Sequence, residues 1–94
     1  MPMIQSYRDK DTEALFEDQV VPRFRAIERV ARRRLPYLHR ALRLEDLRVP
    51  PDNRLEALKG DRAGQHSIRV NDQWRICFIW RSGDAFSVEI VDYH

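Results

Sequence analysis

Apolar residues recur at helical spacing in the first half of the chain and at strand spacing in the second. Phe24, Ile27, Val30, Ala31, Leu35, Leu38 and Leu42 fall three, four and seven positions apart. That spacing places them on one face of a helix, with the arginines mainly between them. Pro22 suits the first turn of this helix. Pro36 cannot donate to the carbonyl four residues back, yet the apolar phase continues past it, so a kink or brief break is predicted rather than an end. Upstream, Asp11-Thr12-Glu13 reads as the start of a shorter helix, with a capping side chain and an acid in its first turn. That helix carries Leu15 and Phe16 and breaks at Val20-Val21-Pro22. Residues 4–7 read as a short strand.

The period changes to two beyond Val49-Pro50-Pro51-Asp52, an extended connector. Residues 54–58, 66–70 and 74–80 read as strands. Lys59-Gly60-Asp61 ends the first, and Asn71-Asp72-Gln73 joins the other two as a hairpin. Trp74, Ile76, Phe78 and Trp80 share one face of their strand, while Arg75, Cys77, Ile79 and Arg81 share the other. Ser82-Gly83-Asp84 makes the next turn. Phe86, Val88 and Ile90 then alternate with Ser87, Glu89 and Val91. Helices followed by hairpin-linked strands imply an α+β domain, two helices packed on one antiparallel sheet. No repeat or linker divides the chain, so residues 1–94 are expected to form a single domain.

Composition narrows the chemistry. An apolar fraction of 43% is that of a folded chain, and no apolar run approaches the roughly 20 residues that span a bilayer. Neither a membrane nor a secretory signal is expected, and a reducing cytosol is the default compartment. Cys77 is the sole cysteine. It reads as a small core hydrophobe, which sets aside disulfide and cysteine–zinc chemistry. The net charge of +2 understates the basic character: 15 of the 17 basic residues are Arg, and nine of them lie between Arg23 and Arg48 against Glu28, Glu45 and Asp46. Such a stripe either tracks nucleic acid or meets an acidic partner protein, or it is simply a solvated helix face. Gly-rich phosphate loops, paired-histidine helix motifs and Gly-x-Ser-x-Gly elbows are all lacking. His39, His66 and His94 have no ligand-like spacing. His39 reads as a surface residue and His66 as either buried or functional. What remains is acid–base chemistry without metal or cofactor, or binding without chemistry.

The strongest chemical pattern is the terminal Asp92-Tyr93-His94. A carboxylate, a phenol and an imidazole all move protons, and the imidazole titrates nearest neutrality. A free α-carboxylate beside the His94 ring favours its protonated form. The alternative is a strand that runs out at a polar end.

Several stretches carry a resemblance to one family. They are Ile4-Gln5-Ser6-Tyr7, Leu44-Glu45-Asp46-Leu47-Arg48-Val49-Pro50-Pro51 and Asn53-Arg54-Leu55-Glu56-Ala57-Leu58-Lys59-Gly60-Asp61-Arg62. Ser67-Ile68-Arg69-Val70-Asn71-Asp72-Gln73-Trp74-Arg75-Ile76 and Val91-Asp92-Tyr93-His94 complete the pattern. Together they resemble the HigB-type killer proteins of bacterial toxin–antitoxin systems, within the RelE/ParE toxin superfamily. The most specific parts are residues 58–76 and the Asp-Tyr-His ending. The resemblance implies a small antiparallel sheet with two N-terminal helices and cleavage of messenger RNA in the ribosomal decoding site. It also implies neutralisation by a helix-turn-helix antitoxin of the HigA kind, with operator DNA reached only through that antitoxin.

Metal-free RNA cleavage through the neighbouring 2′-hydroxyl needs a proton acceptor, positive charge on the phosphorane oxygens and an acid for the departing 5′-oxygen. Asp92, Tyr93 and His94 offer the proton-transfer groups; Lys59, Arg62 and Arg75 offer the charge. The two sets converge if the Lys59 loop and the strand from Trp74 border the terminal strand. Arg54, Glu56 and Arg69, within the resembling stretches, are expected to contact the RNA. The structural alternatives are an Arg75–Glu89 ion pair and a solvated turn around Lys59 and Arg62. Two departures bear on activity. Glu56 stands where some relatives carry a histidine, as a substitute proton acceptor or as a structural residue, and its charge repels phosphate. Pro36 alters the helix that would face ribosome or antitoxin. Two other readings stand beside the nuclease: a non-enzymatic binder of DNA gyrase resembling ParE, which has no chemical need of the terminal tripeptide, and a degenerate toxin acting only as a co-regulator with its antitoxin.

Overall fold

A computed structural model describes residues 4–92 of the chain. Helix α1 spans Lys10–Phe16 and α2 spans Glu28–Arg40. Four strands follow: β1 Glu56–Ala57, β2 Gln65–Arg69, β3 Trp74–Arg81 and β4 Asp84–Asp92. They form one sheet in the order β1-β2-β3-β4, with every neighbouring pair antiparallel. The expected α+β arrangement, two helices on one antiparallel sheet, is the one observed. Ahead of α1 the chain runs parallel to β4 and bridges it at Ile4↔Ala85 and Tyr7↔Val88. Val88 donates its N–H to the Ser6 carbonyl at 3.1 Å, so this outer edge of the sheet is covered.

The helical face is buried as its spacing implies. Phe24, Ala31, Leu35 and Leu38 are sealed from solvent, and they meet Ile68, Ile76, Phe78, Val88 and Ile90 of the sheet. Burial of each of these side chains larger than Ala31 stabilises the fold by about 1.5–3 kcal/mol. Phe24 meets Trp74 edge-on, with ring centroids 5.7 Å apart. Helix α2 runs on through Pro36 to Arg40.

The structure moves several boundaries. The cap of α1 is Asp9, not Asp11: its Oδ1 accepts from the Thr12 backbone N–H at 2.7 Å. Thr12 is instead fully buried, and its hydroxyl accepts the Ile90 N–H at 3.1 Å, which ties α1 to β4. The stretch Pro22–Ile27 is a 3₁₀ turn leading into α2. Pro22 offers no N–H and Val21 no capping oxygen, so the entry tightens, with Phe24 N–H donating to the Val21 carbonyl at 2.9 Å. Leu42, expected on the helical apolar face, lies beyond the helix end and is 68% exposed.

In β4 the alternation breaks at a bulge. Cys77 pairs with Glu89 but Ile79 pairs with Phe86, so β4 holds one more residue than β3 over this interval. Ser87 takes φ 52° in the left-handed region. The slip brings Ala85 into the core at 0% exposure and turns Phe86 outward, where the Arg81 guanidinium lies over its ring. Phe86 is therefore not the core residue that strict alternation implies. The β3–β4 turn uses Ser82 and Gly83 at φ 53° and 83°, the two consecutive left-handed residues of a primed hairpin.

Candidate active site

One face of the sheet packs on the helices; the other carries the polar residues. Period two and the register place Arg69, Arg75 and Val91 on one rung, and Ser67, Cys77 and Glu89 on the next. Glu56 pairs with Ser67 at the β1 edge. A cleft of about 300 Å³ opens here, lined by Arg54, Glu56, Arg69, Asn71, Asp72 and Arg75. A second opening of about 380 Å³ runs along Glu56, Ala57, Leu58 and Lys59. Glu56 borders both, so the Lys59 loop and the β3 arginine line neighbouring openings.

Arg75 is clamped. Its Nε donates to Ser67 Oγ at 2.6 Å and its Nη2 donates to the Arg54 carbonyl at 2.8 Å. Both acceptors are neutral, and no carboxylate pairs with Arg75 among the described residues. The Arg75–Glu89 pair considered above does not form. Glu89 is taken by Arg62, whose Nη1 donates to it at 2.8 Å while also reaching Gln65 Oε1 at 3.1 Å. Arg8 approaches the same carboxylate at 3.8 Å. Arg69 pairs with Asp72 across the β2–β3 turn. Of Arg62, Arg69 and Arg75, Arg75 is thus the one held in a fixed orientation with no carboxylate paired to it among the described residues. Lys59, at the N-terminal boundary of the Gly60–Arg62 turn, is exposed, as is Glu56.

Asp92 ends β4 opposite Trp74, next to the Arg75↔Val91 rung. Its Oδ2 accepts from Gln73 Nε2 at 3.0 Å. Tyr93 and His94 lie outside the described residues.

The remaining candidates resolve differently. Cys77 is fully buried, but beneath the polar face, in register with Ser67 and Glu89, and burial pushes its thiol pKa up. His66 faces the helices and stacks on Phe78, with centroids 6.3 Å apart. It joins Leu44, Glu45, Arg48, Leu55 and Ala57 around a small cavity of about 110 Å³ that shares no lining residue with the arginine cleft. His39 is not a surface residue: it packs on Phe16 at 5.2 Å with its Nδ1 buried. Among the described residues, no three His, Cys, Asp or Glu side chains gather as metal ligands. Ser67, Asn53 and the Arg54 carbonyl were not among the expected site residues. Ser67 was legible in principle, since period two puts it on the face of Arg69; a backbone carbonyl leaves no residue-type signal.

Known proteins resemble this chain along nearly its whole length. The family described as the RelE-like toxin of the type II toxin–antitoxin system HigB matches residues 5–94. The chain belongs to this toxin family. It is 40% identical over 89 residues to Toxin HigB-1 of Vibrio cholerae serotype O1, covering 90% of this chain and 92% of that protein. It is 36% identical over 94 residues to Endoribonuclease HigB of Proteus vulgaris, covering 98% and 100%. As a HigB-like toxin of a type II system, it has a cognate antitoxin as partner. Among the described residues no helix is long and apolar enough to cross a membrane.

Proposed function

We propose that this HigB-like toxin is an endoribonuclease that cuts messenger RNA held on the ribosome, without a metal ion. The observation that carries the reading is the Arg75 clamp. A guanidinium fixed by Ser67 Oγ at 2.6 Å and the Arg54 carbonyl at 2.8 Å needs no reorientation when charge develops before it. The similarity to an endoribonuclease along 98% of the chain supports the same reading.

In this mechanism the ribose 2′-oxygen attacks the adjacent phosphorus and its proton passes to a base. The bond from phosphorus to the 5′-oxygen breaks, and an acid returns a proton to that oxygen. A 2′,3′-cyclic phosphate and a free 5′-hydroxyl result. Asp92, Tyr93 and His94 supply the groups that take up and return the proton. Arg75 meets the phosphorane charge, with Lys59 and Arg62 adding positive potential, and Arg54 and Arg69 line the RNA path with Glu56 at its edge.

The ribosome holds the message in a fixed path that so small a protein has little surface to impose. Such positioning lowers a barrier by as much as about 7–11 kcal/mol. The cognate antitoxin, in this reading a helix-turn-helix protein of the HigA kind, silences the toxin by direct binding and links it to operator DNA. The working compartment is the cytoplasm, where ribosomes and messages are. The test is cleavage by purified toxin of one message, free with and without EDTA, and under translation in ordinary magnesium buffer. Efficient cutting only under translation, with cyclic or 3′-phosphate ends, is expected. Efficient cutting of naked RNA that EDTA abolishes would refute the mechanism, and supercoiling defects without RNA cuts would move the reading to a gyrase binder.

A further inference from the structure

We infer that Asn53 and Arg34 are positioning residues for Arg75, acting from the core through the backbone of Arg54; the inference rests on the endonuclease reading above. Arg54 takes φ 45° and ψ 56°, a left-handed conformation disfavoured for a residue with a side chain. Its carbonyl is the one that accepts from Arg75 Nη2 at 2.8 Å. Strained backbone of this kind persists where the surroundings over-determine it.

The surroundings here are an unusual polar knot. Asn53, immediately before Arg54, is fully buried, and Arg34 of α2 is 6% exposed. Arg34 Nη1 donates to Asn53 Oδ1 at 2.6 Å. Asn53 Nδ2 donates to the Leu47 carbonyl at 3.1 Å and the Val49 carbonyl at 3.4 Å. The backbone N–H groups of Asn53 and Arg54 donate to the Pro50 and Pro51 carbonyls, each at 3.0 Å. A buried guanidinium ordinarily faces a carboxylate; this one faces a neutral amide, and its Nε has no partner among the described residues. The fold thus retains a costly group whose visible effect is a charge-assisted bond that pins Asn53. With Asn53 pinned from three sides, the next peptide is fixed, and the Arg54 carbonyl is held toward Arg75. Helix α2 is thereby connected to the guanidinium of the cleft through a short chain of bonds.

The test has two arms. In the first, Asn53→Ala is made in the parent and in an Arg75→Ala background, and single-turnover cleavage is measured at saturating programmed ribosomes. The expected loss in the parent is on the order of 10- to 100-fold, with the half-saturating ribosome concentration unchanged. In the Arg75→Ala background the same substitution should change the residual rate less than about twofold, because the group it positions is gone. Equal proportional losses in both backgrounds would overturn the assignment. In the second arm, the Nη2–Hη signal of Arg75, the group bonded to the Arg54 carbonyl, is assigned by its disappearance in Arg75→Ala and followed by ¹⁵N NMR at low temperature. Its exchange with water should quicken in Asn53→Ala and in Arg34→Met, and unchanged exchange would also overturn the assignment. Circular dichroism and thermal unfolding check the fold. If Asn53→Ala does not fold, Arg34→Met, which keeps most of the packed volume, is read in both arms instead. Loss of fold in both variants would make the pair a folding element and overturn its positioning role. The NMR arm needs no cleavage: a loosened Arg75 in a protein whose parent cuts no message would sink the endonuclease reading alone.

Discussion

Arg75 reaches across the β2–β3 ladder and donates through Nε to the Ser67 hydroxyl at 2.6 Å, although Ser67 is paired in register with Cys77 rather than with Arg75. The diagonal contact and the bond to the Arg54 carbonyl hold the guanidinium in the lining of the cleft. Arg75→Ala should lower cleavage on programmed ribosomes by about 10²–10³-fold, the usual effect of losing a preorganised donor. Arg75→Lys should recover little, because a point charge cannot make both anchoring bonds. Full activity in Arg75→Lys would show that charge alone suffices.

Arg62 and Glu89 form a half-buried ion pair at 2.8 Å, so RNA phosphate must compete with Glu89 for this arginine. Glu89→Gln should remove the competition from Glu89. Binding of a catalytically silent variant to single-stranded RNA should then tighten a few-fold at low salt. The slope of log affinity against log salt should steepen by about 0.7, one further phosphate contact. An unchanged slope would place Arg62 away from the RNA.

The terminal residues are expected to carry proton transfer. His94→Ala and Tyr93→Phe should each abolish or strongly reduce growth arrest on induction, with circular dichroism unchanged. Undiminished growth arrest by a folded His94→Ala protein would end this assignment.

Arg29 and Arg33 lie one turn apart on the exposed side of α2. Neutralising both should flatten the salt dependence of ribosome binding by about 0.7–0.9 per charge. The chemical step at saturating ribosome should be unchanged. If instead that step disappears while Arg75→Ala is silent, the active site lies on the helical face and not at Arg75.

Burial, with Glu13 and Glu17 adding to it, pushes the Tyr7 phenol from 10.0 up to about 12. A pKa raised on folding means that the folded state holds the proton more tightly. The associated stability is fully present below pH 10 and is lost as pH rises from there through about 12. Urea unfolding should show a steeper alkaline decline in the parent than in Tyr7→Phe. The effect is moderated by the partial exposure of the ring, and parallel declines would contradict it.

The sequence alone determined the periodic elements, because helical and strand repeats are local properties of the chain. It located the apolar face of α2, the two hairpin turns and the α+β order. Its motifs carried the family resemblance that the family match later confirmed. It also identified which side chains can move protons or bear charge. Three decisions waited for the tertiary structure. The bulge at Ser87 exchanged Ala85 for Phe86 in the core, since strict alternation cannot foresee one extra residue in a ladder. The N-cap fell to Asp9 rather than Asp11, and the Thr12 hydroxyl went to the Ile90 N–H, a partner 78 residues away. And Glu89 chose Arg62 while Arg75 was left to Ser67 and a backbone carbonyl. Such pairings depend on distances between strands, which residue types do not encode: an arginine in sequence is only a charge, and the fold decides whether that charge is cancelled or held ready.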